Sequence, residues 1–202
     1  MCASRLLAAF LTMLALSPPA GAAATEPTSE TQVLALDDYF LPSFATVPRG
    51  ETVVWDFSDA ERSHTATDSS GMGLFDSGLV SPGGPSFAYT FGAAGSYPYT
   101  CTIHTDDMNG RVNVPVRVWP ESGQLGRTFR VRWATGAAPD GFVYDVQLKR
   151  NDGSWSPWSS GTTAAKAEFE PARHGTYRFR AKLRRESGGA SDWSESTSLM
   201  VT

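Results

Sequence analysis

Apolar and polar positions alternate in short runs along most of this 202-residue chain, and turn residues separate the runs. Val53, Trp55 and Phe57 alternate with Val54, Asp56 and Ser58, so one face of a predicted strand carries three large apolar side chains. Phe87, Tyr89 and Phe91 repeat the pattern, and Val33-Leu34-Ala35-Leu36 is a short apolar run. A last strand of the first half is predicted through Val112, Val114, Val116 and Val118, ending at Trp119-Pro120. Further on, Phe129, Val131 and Trp133 alternate with Arg130 and Arg132. Tyr144, Val146 and Leu148 alternate with Asp145, Gln147 and Lys149, and Tyr177, Phe179, Ala181 and Leu183 with Arg178, Arg180, Lys182 and Arg184. Half-buried antiparallel strands require this one-sided pattern. Helix signals are poor, Gly, Pro, Thr and Ser are abundant, and the expectation is an all-β fold of two β-sandwiches.

Charge divides the chain where the pattern does. Residues 25–120 hold 12 Asp/Glu against 4 Arg, a net of −8, whereas residues 121–202 hold 12 Lys/Arg against 9 Asp/Glu, a net of +3. The predicted organisation is a first domain over 25–120, a linker at 121–124 (Glu121-Ser122-Gly123-Gln124) and a second domain over 125–202. The small positive excess of the second half is no nucleic-acid signature.

Residues 1–24 read as a removed signal peptide. Arg5 is a lone positive charge, Leu6 to Leu16 is almost wholly apolar, Ser17-Pro18-Pro19 breaks the run, and Ala20-Gly21-Ala22-Ala23-Ala24 offers small residues for cleavage. The apolar run is too short for a comfortable membrane span. The expected location is secreted or extracytoplasmic. No Asn-x-Ser/Thr acceptor occurs, so N-glycosylation is not expected.

Cleavage removes Cys2 and leaves Cys101 alone. A lone thiol in an oxidising compartment needs a reason: an intermolecular bridge, reactivity or a metal. Most free Cys are small buried hydrophobes, but Cys101 opens the run Cys101-Thr-Ile-His104-Thr-Asp-Asp-Met108, and His64 lies upstream in a polar loop. One Cys, two His and a weakly held Met are the ligands of a blue-copper electron-transfer site. Zinc suits the same imidazoles and thiolate. A Cys101–His104 nucleophilic pair is disfavoured, because catalytic partners are usually brought together by the fold and no oxyanion site is evident. The three His of the whole chain are too few for a multi-copper oxidase, since His64 and His104 serve one ion and only His174 is left. His174 reads as an exposed turn residue. Met72, between two glycines, reads as a gap-filling apolar residue and only secondarily as a substitute thioether. Asp37, Asp38, Asp56 and Asp59 read as solvated charges.

Residues 33–118 resemble the cupredoxin (blue-copper) family. The ordered series that carries the match is Phe40-Leu41-Pro42, Val47-Pro48-Arg49-Gly50-Glu51-Thr52-Val53-Val54-Trp55, Ser63-His64-Thr65, Phe75-Asp76-Ser77-Gly78, Phe87 to Phe91, and Gly95 to Cys101 leading into His104, Met108, Asn109, Gly110 and Val112. The resemblance implies a Greek-key sandwich, one mononuclear type 1 copper ion on His64, Cys101, His104 and Met108, and an electron carrier rather than an enzyme. Plastocyanin, pseudoazurin and amicyanin kinds place four or two residues between the second His and the Met, whereas three intervene here: Thr105, Asp106 and Asp107. The Met-x-Gly-x-Val pattern that follows is kept, so Met108 stays the expected axial ligand while its distance, the potential and the colour stay open.

Residues 123–202 resemble a fibronectin type III module, an immunoglobulin-like sandwich. Trp133 would be a core Trp of an early strand, and Tyr177 the corner tyrosine. Trp155-Ser156-Pro157-Trp158-Ser159 spells a cytokine-receptor motif out of place; Trp155 or Trp158 is expected to stack on outward Arg178, Arg180 or Lys182.

The expected function is therefore an exported single-electron carrier, its second sandwich serving partner docking. The alternative is copper storage, delivery or adhesion without redox turnover. The resemblance turns the His104 ring edge towards solvent, where Asp106 and Asp107 favour a basic redox partner. Backbone N–H groups near Thr65 and Asp106 are placed to bond the sulfur or orient an imidazole.

Overall fold

The computed structural model describes residues 30–202, so the predicted signal segment lies outside the described residues. The described chain is all-β, with sixteen strands and no helix. No helix among the described residues is long and apolar enough to cross a membrane.

Eight strands build the first sandwich: β1 (Glu30–Ala35), β2 (Phe40–Leu41), β3 (Phe44–Thr46), β4 (Glu51–Asp56), β5 (Thr67–Asp68), β6 (Phe87–Phe91), β7 (Gly95–Thr100) and β8 (Asn109–Val114). They form one sheet in the order β2-β1-β4-β6 and another in the order β3-β8-β7-β5. The alternation at β4 turns Val53 and Trp55 wholly inward, and Phe57 follows them. Trp55 is the centre of this core. It stacks on Phe75 at 5.1 Å between ring centroids and meets Tyr99 edge-on at 5.2 Å. Tyr99 also meets Phe40 at 4.8 Å. A Cβ on Gly110 would lie 2.2 Å from the Tyr99 ring, so only glycine lets β8 approach β7 here. Trp55, Phe75 and Tyr99 share one buried cluster with Cys101, where the next loop starts.

Eight more strands build the second: β9 (Arg117–Trp119), β10 (Ser122–Gly123), β11 (Phe129–Arg132), β12 (Phe142–Arg150), β13 (Ser156–Thr162), β14 (Lys166–Phe169), β15 (Gly175–Arg185) and β16 (Thr197–Val201). Their sheets run β14-β11-β9 and β10-β16-β15-β12-β13. Phe129, Val131, Trp133, Tyr144, Val146, Phe179, Ala181 and Leu199 are buried between them. The Tyr177 hydroxyl donates to the Arg173 carbonyl at 2.7 Å.

Two expectations change. The strand predicted from Val112 to Val118 is broken at Pro115, which has no N–H for a ladder. After Val114 the chain leaves the first sandwich, and Arg117–Trp119 pairs antiparallel with β11, Val118 opposite Val131. The stretch expected as a linker is likewise partly sheet, since Gly123 pairs parallel with Val201. Strands β9 and β10 thus pair within the second set of sheets. The tryptophans also divide. Trp155 lies outside, with the Arg180 guanidinium 4.2 Å from its ring centroid and Lys149 at 5.0 Å. Trp193 continues the stack at 5.0 Å from both Arg180 and Lys182. Trp158 turns inward onto Phe179 at 5.3 Å and Trp133 at 5.9 Å. An odd separation along an extended chain puts the two rings on opposite faces.

The sandwiches are tied by many bonds. Ser96 and Asp192 exchange both backbone hydrogen bonds at 2.9 Å, and Ala94 N–H donates to the Trp133 carbonyl at 2.6 Å. Arg111 pairs with Asp192. The Asn113 side chain donates to Glu195 Oε2 at 3.2 Å and accepts from Glu195 N–H at 2.8 Å. Arg185 donates to the Met72 carbonyl at 2.9 Å. Gly189, at φ +82°, lies so close to Gly71 that an added Cβ would be 2.5 Å from the Gly71 carbonyl carbon.

Candidate metal centre

His64 follows β4 in a loop that is not free to swing. Its backbone exchanges two hydrogen bonds with Val80, at 3.0 Å and 2.8 Å. Cys101 is the first residue past β7. Between β7 and β8 the chain makes one compact loop, closed by three bonds. His104 N–H donates to the Cys101 carbonyl at 3.1 Å, Met108 N–H to the His104 carbonyl at 2.9 Å, and Cys101 N–H to the Met108 carbonyl at 3.0 Å. The three residues between His104 and Met108 therefore fit a single turn that returns Met108 beside Cys101.

These elements bring His64, Cys101 and His104 together, with their donor atoms all within 4.8 Å of one another. His64 Nδ1 lies 3.8 Å from Cys101 Sγ, His104 Nδ1 lies 3.6 Å from it, and the two Nδ1 atoms are 3.2 Å apart. Both rings thus turn the same nitrogen towards the sulfur. His64, Cys101 and Met108 are fully buried, and His104 is half-buried. Met108 is packed into the apolar core, with its backbone held within the loop.

Electrostatics favours a neutral His64. Burial pushes its imidazole below the ordinary value; Asp37 opposes this, and His104 adds to it. Two imidazole lone pairs facing each other at this separation repel unless a proton or a cation lies between them. The Cys101 sulfur beside them adds a soft donor. Two imidazole nitrogens, one thiolate and a buried thioether nearby suit a single copper ion. The residues present therefore fit the metal that their chemistry implies.

Of the N–H groups expected near Thr65 and Asp106 to bond the sulfur or orient an imidazole, that of Thr65 donates to Cys101 Sγ at 3.4 Å. The Asp106 N–H makes no such contact among the described residues. Thr65 also braces the loop sideways, its Oγ1 accepting the Thr102 N–H at 2.9 Å. Met72 is buried where the sandwiches meet, and His174 is exposed.

One residue near the site was read differently from the sequence. Asp37, expected as a solvated charge, lies with Oδ1 3.5 Å from His64 Nε2. Its carboxyl sits below the ordinary value. Desolvation acts the other way, but the N–H groups of Glu61 and Arg62, the His64 ring and the Arg62 charge outweigh it. No local signal distinguishes Asp37 from Asp38, Asp56 or Asp59, because its partners arrive from a distant loop.

No family model matches the chain, and no curated protein matches it. Solved structures do. The chain is similar to a purple cupredoxin from Nitrosopumilus maritimus at 24% identity, over 42% of this chain and 98% of that one, with a TM-score of 0.38. It is similar to a reduced amicyanin mutant at 26% identity, over 46% of this chain and 89% of that one, with a TM-score of 0.38. An oxidised plastocyanin from Dryopteris crassirhizoma is similar at 25% identity, over 42% of this chain and 99% of that one, with a TM-score of 0.36.

Proposed function

We propose that this chain is an exported type 1 copper protein that carries single electrons. The observation that carries the reading is the convergence of His64 Nδ1, His104 Nδ1 and Cys101 Sγ within 4.8 Å. In this reading those three atoms would hold one ion, with the Met108 thioether as a further, weaker donor. Copper supplies the one-electron chemistry, and this donor set suits both of its oxidation states.

The chain's part is to keep the donors still and dry. Val80 pins the His64 backbone, three backbone bonds close the Cys101–Met108 loop, and the Thr65 N–H bonds the sulfur. Burial of His64, Cys101 and Met108 keeps three of the four candidate donors away from solvent, which suits a carrier. The half-buried ring of His104 is the edge offered to a partner. Ile103, 52% exposed beside it, and the exposed carboxylates of Asp106 and Asp107 favour a basic redox protein docking there.

Export is supported by the apolar run at Leu6 to Leu16 and by the single Cys left after cleavage. The second sandwich is read as a fibronectin type III-like module that orients the carrier on its partner. Buried Trp133, the Tyr177 corner bond and the firm junction between the sandwiches support this.

Loading with Cu(II) and recording the visible spectrum tests the proposal. An intense thiolate-to-copper band, absent in Cys101→Ser, and reversible voltammetry are expected. A protein that takes Cu(II) without that band would sink the site assignment. Loss of copper on reduction would instead mark a storage or delivery module.

A further inference from the structure

His64 has two ring nitrogens, and only one faces the sulfur. The other, Nε2, is buried and makes no hydrogen bond of ordinary geometry among the described residues. A buried polar atom without a partner is destabilising. The Asp37 carboxylate lies within reach, with Oδ1 at 3.5 Å.

Asp37 is itself held firmly. It sits in the turn between β1 and β2, and its Oδ1 accepts the backbone N–H groups of Glu61 at 2.8 Å and Arg62 at 3.0 Å. These residues lead directly into His64. The Arg62 side chain returns the contact, donating to the Asp37 carbonyl at 3.1 Å and to Asp38 Oδ1 at 2.5 Å. One carboxylate oxygen therefore fixes the approach of the loop and faces the far nitrogen of its histidine.

We propose that Asp37 is the positioning residue of His64: its carboxylate accepts the Nε2–H and so fixes the tautomer that leaves Nδ1 bare towards Cys101. Metal-binding imidazoles commonly donate their other N–H to a carboxylate, which sets the ring orientation and raises the basicity of the ligating nitrogen. A more basic nitrogen favours the more highly charged metal. Asp37 thus favours Cu(II) over Cu(I) and lowers the reduction potential. This inference rests on the copper reading for its effect on potential, but not for its effect on the tautomer.

The variant Asp37→Asn keeps an oxygen for the two backbone N–H groups and removes the charge. Loss of such a partner costs about 10–100-fold in metal affinity. A tenfold loss of Cu(II) affinity relative to Cu(I) is expected, which raises the one-electron potential by about 59 mV. Asp38→Asn, whose carboxylate pairs with Arg62, serves as the control and leaves the potential in place. A second measurement needs no copper. Nitrogen-15 NMR of the metal-free protein should find His64 protonated on Nε2, and Asp37→Ala should show a mixture of tautomers. Equal potentials for the two Asn variants, or a wild-type His64 protonated on Nδ1, would overturn the proposal. If the wild type fails to take copper at all, the electron-carrier reading falls, and the tautomer still decides the role of Asp37.

Discussion

Thr65 donates its backbone N–H to Cys101 Sγ at 3.4 Å, so the residue next to His64 also bonds the sulfur at the start of the other loop. The same residue accepts the Thr102 N–H and the Thr67 hydroxyl on its Oγ1, at 2.9 Å and 3.0 Å. The two loops that hold the site are therefore linked at both the main chain and the side chain of one threonine.

Thr65→Ala separates these links. The backbone bond to sulfur persists, while the Oγ1 acceptor is lost. Thr102 is exposed, so water replaces part of the lost bond. A destabilisation of about 1 kcal/mol is expected in chemical denaturation, with the position of the copper band unchanged. A shifted band at unchanged stability would mean that the hydroxyl, not the N–H, governs the sulfur.

Met108→Leu tests the thioether. The swap conserves volume at a fully buried position and should cost less than about 1.5 kcal/mol. Replacing a weak donor by an apolar group disfavours the more highly charged metal, so voltammetry should show a raised potential. A potential and spectrum identical to wild type would show that the Met108 sulfur does not touch the ion.

Much of this architecture is legible from the chain, and the parts that are not have a common cause. The period-two pattern at Val53, Trp55 and Phe57 is local, so it marks the inward face of β4 without knowledge of what packs on it. Cys101 and His104 are close enough in sequence to be read as one loop. Pro115 is visible as a ladder breaker, yet the partner that takes up Arg117–Trp119, β11, lies beyond the break and leaves no mark on the residues before it. Trp155 and Trp158 look alike until the sheet assigns them to opposite faces. Asp37 is the sharpest case. Its role depends on Glu61, Arg62 and His64 arriving from another loop, and no spacing rule encodes that meeting.

Gly189 tests the junction. Its φ of +82° is a conformation that a Cβ strains, and the added atom would lie 2.5 Å from the Gly71 carbonyl carbon. Left-handed backbone costs a non-glycine residue about 1–2 kcal/mol, and the clash with main chain adds to it. Gly189→Ala should therefore push the sandwiches apart near Met72. Calorimetry of the wild type should give one cooperative transition, and the variant two or a broadened one. Two transitions in the wild type would show that the junction bonds do not couple the sandwiches.

Charge at the rim of the site gives the last test. Asp106 and Asp107 are exposed on the turn between His104 and Met108, in a domain that is acidic throughout. Both carboxylates are exposed, so Asp106→Asn/Asp107→Asn should leave stability within about 0.5 kcal/mol of wild type. Encounter with a cationic partner is another matter. Electrostatic steering raises association rates by about 10–1,000-fold and decays with ionic strength, because the screening length is about 10 Å at 0.1 M salt and shrinks further above it. With a small basic redox protein as the probe, stopped-flow electron transfer should slow as salt rises, and the double variant should be slower at low salt and less salt-sensitive. Equal slopes for both proteins would place the docking surface away from this turn, and a rate that rises with salt would point to an acidic partner instead.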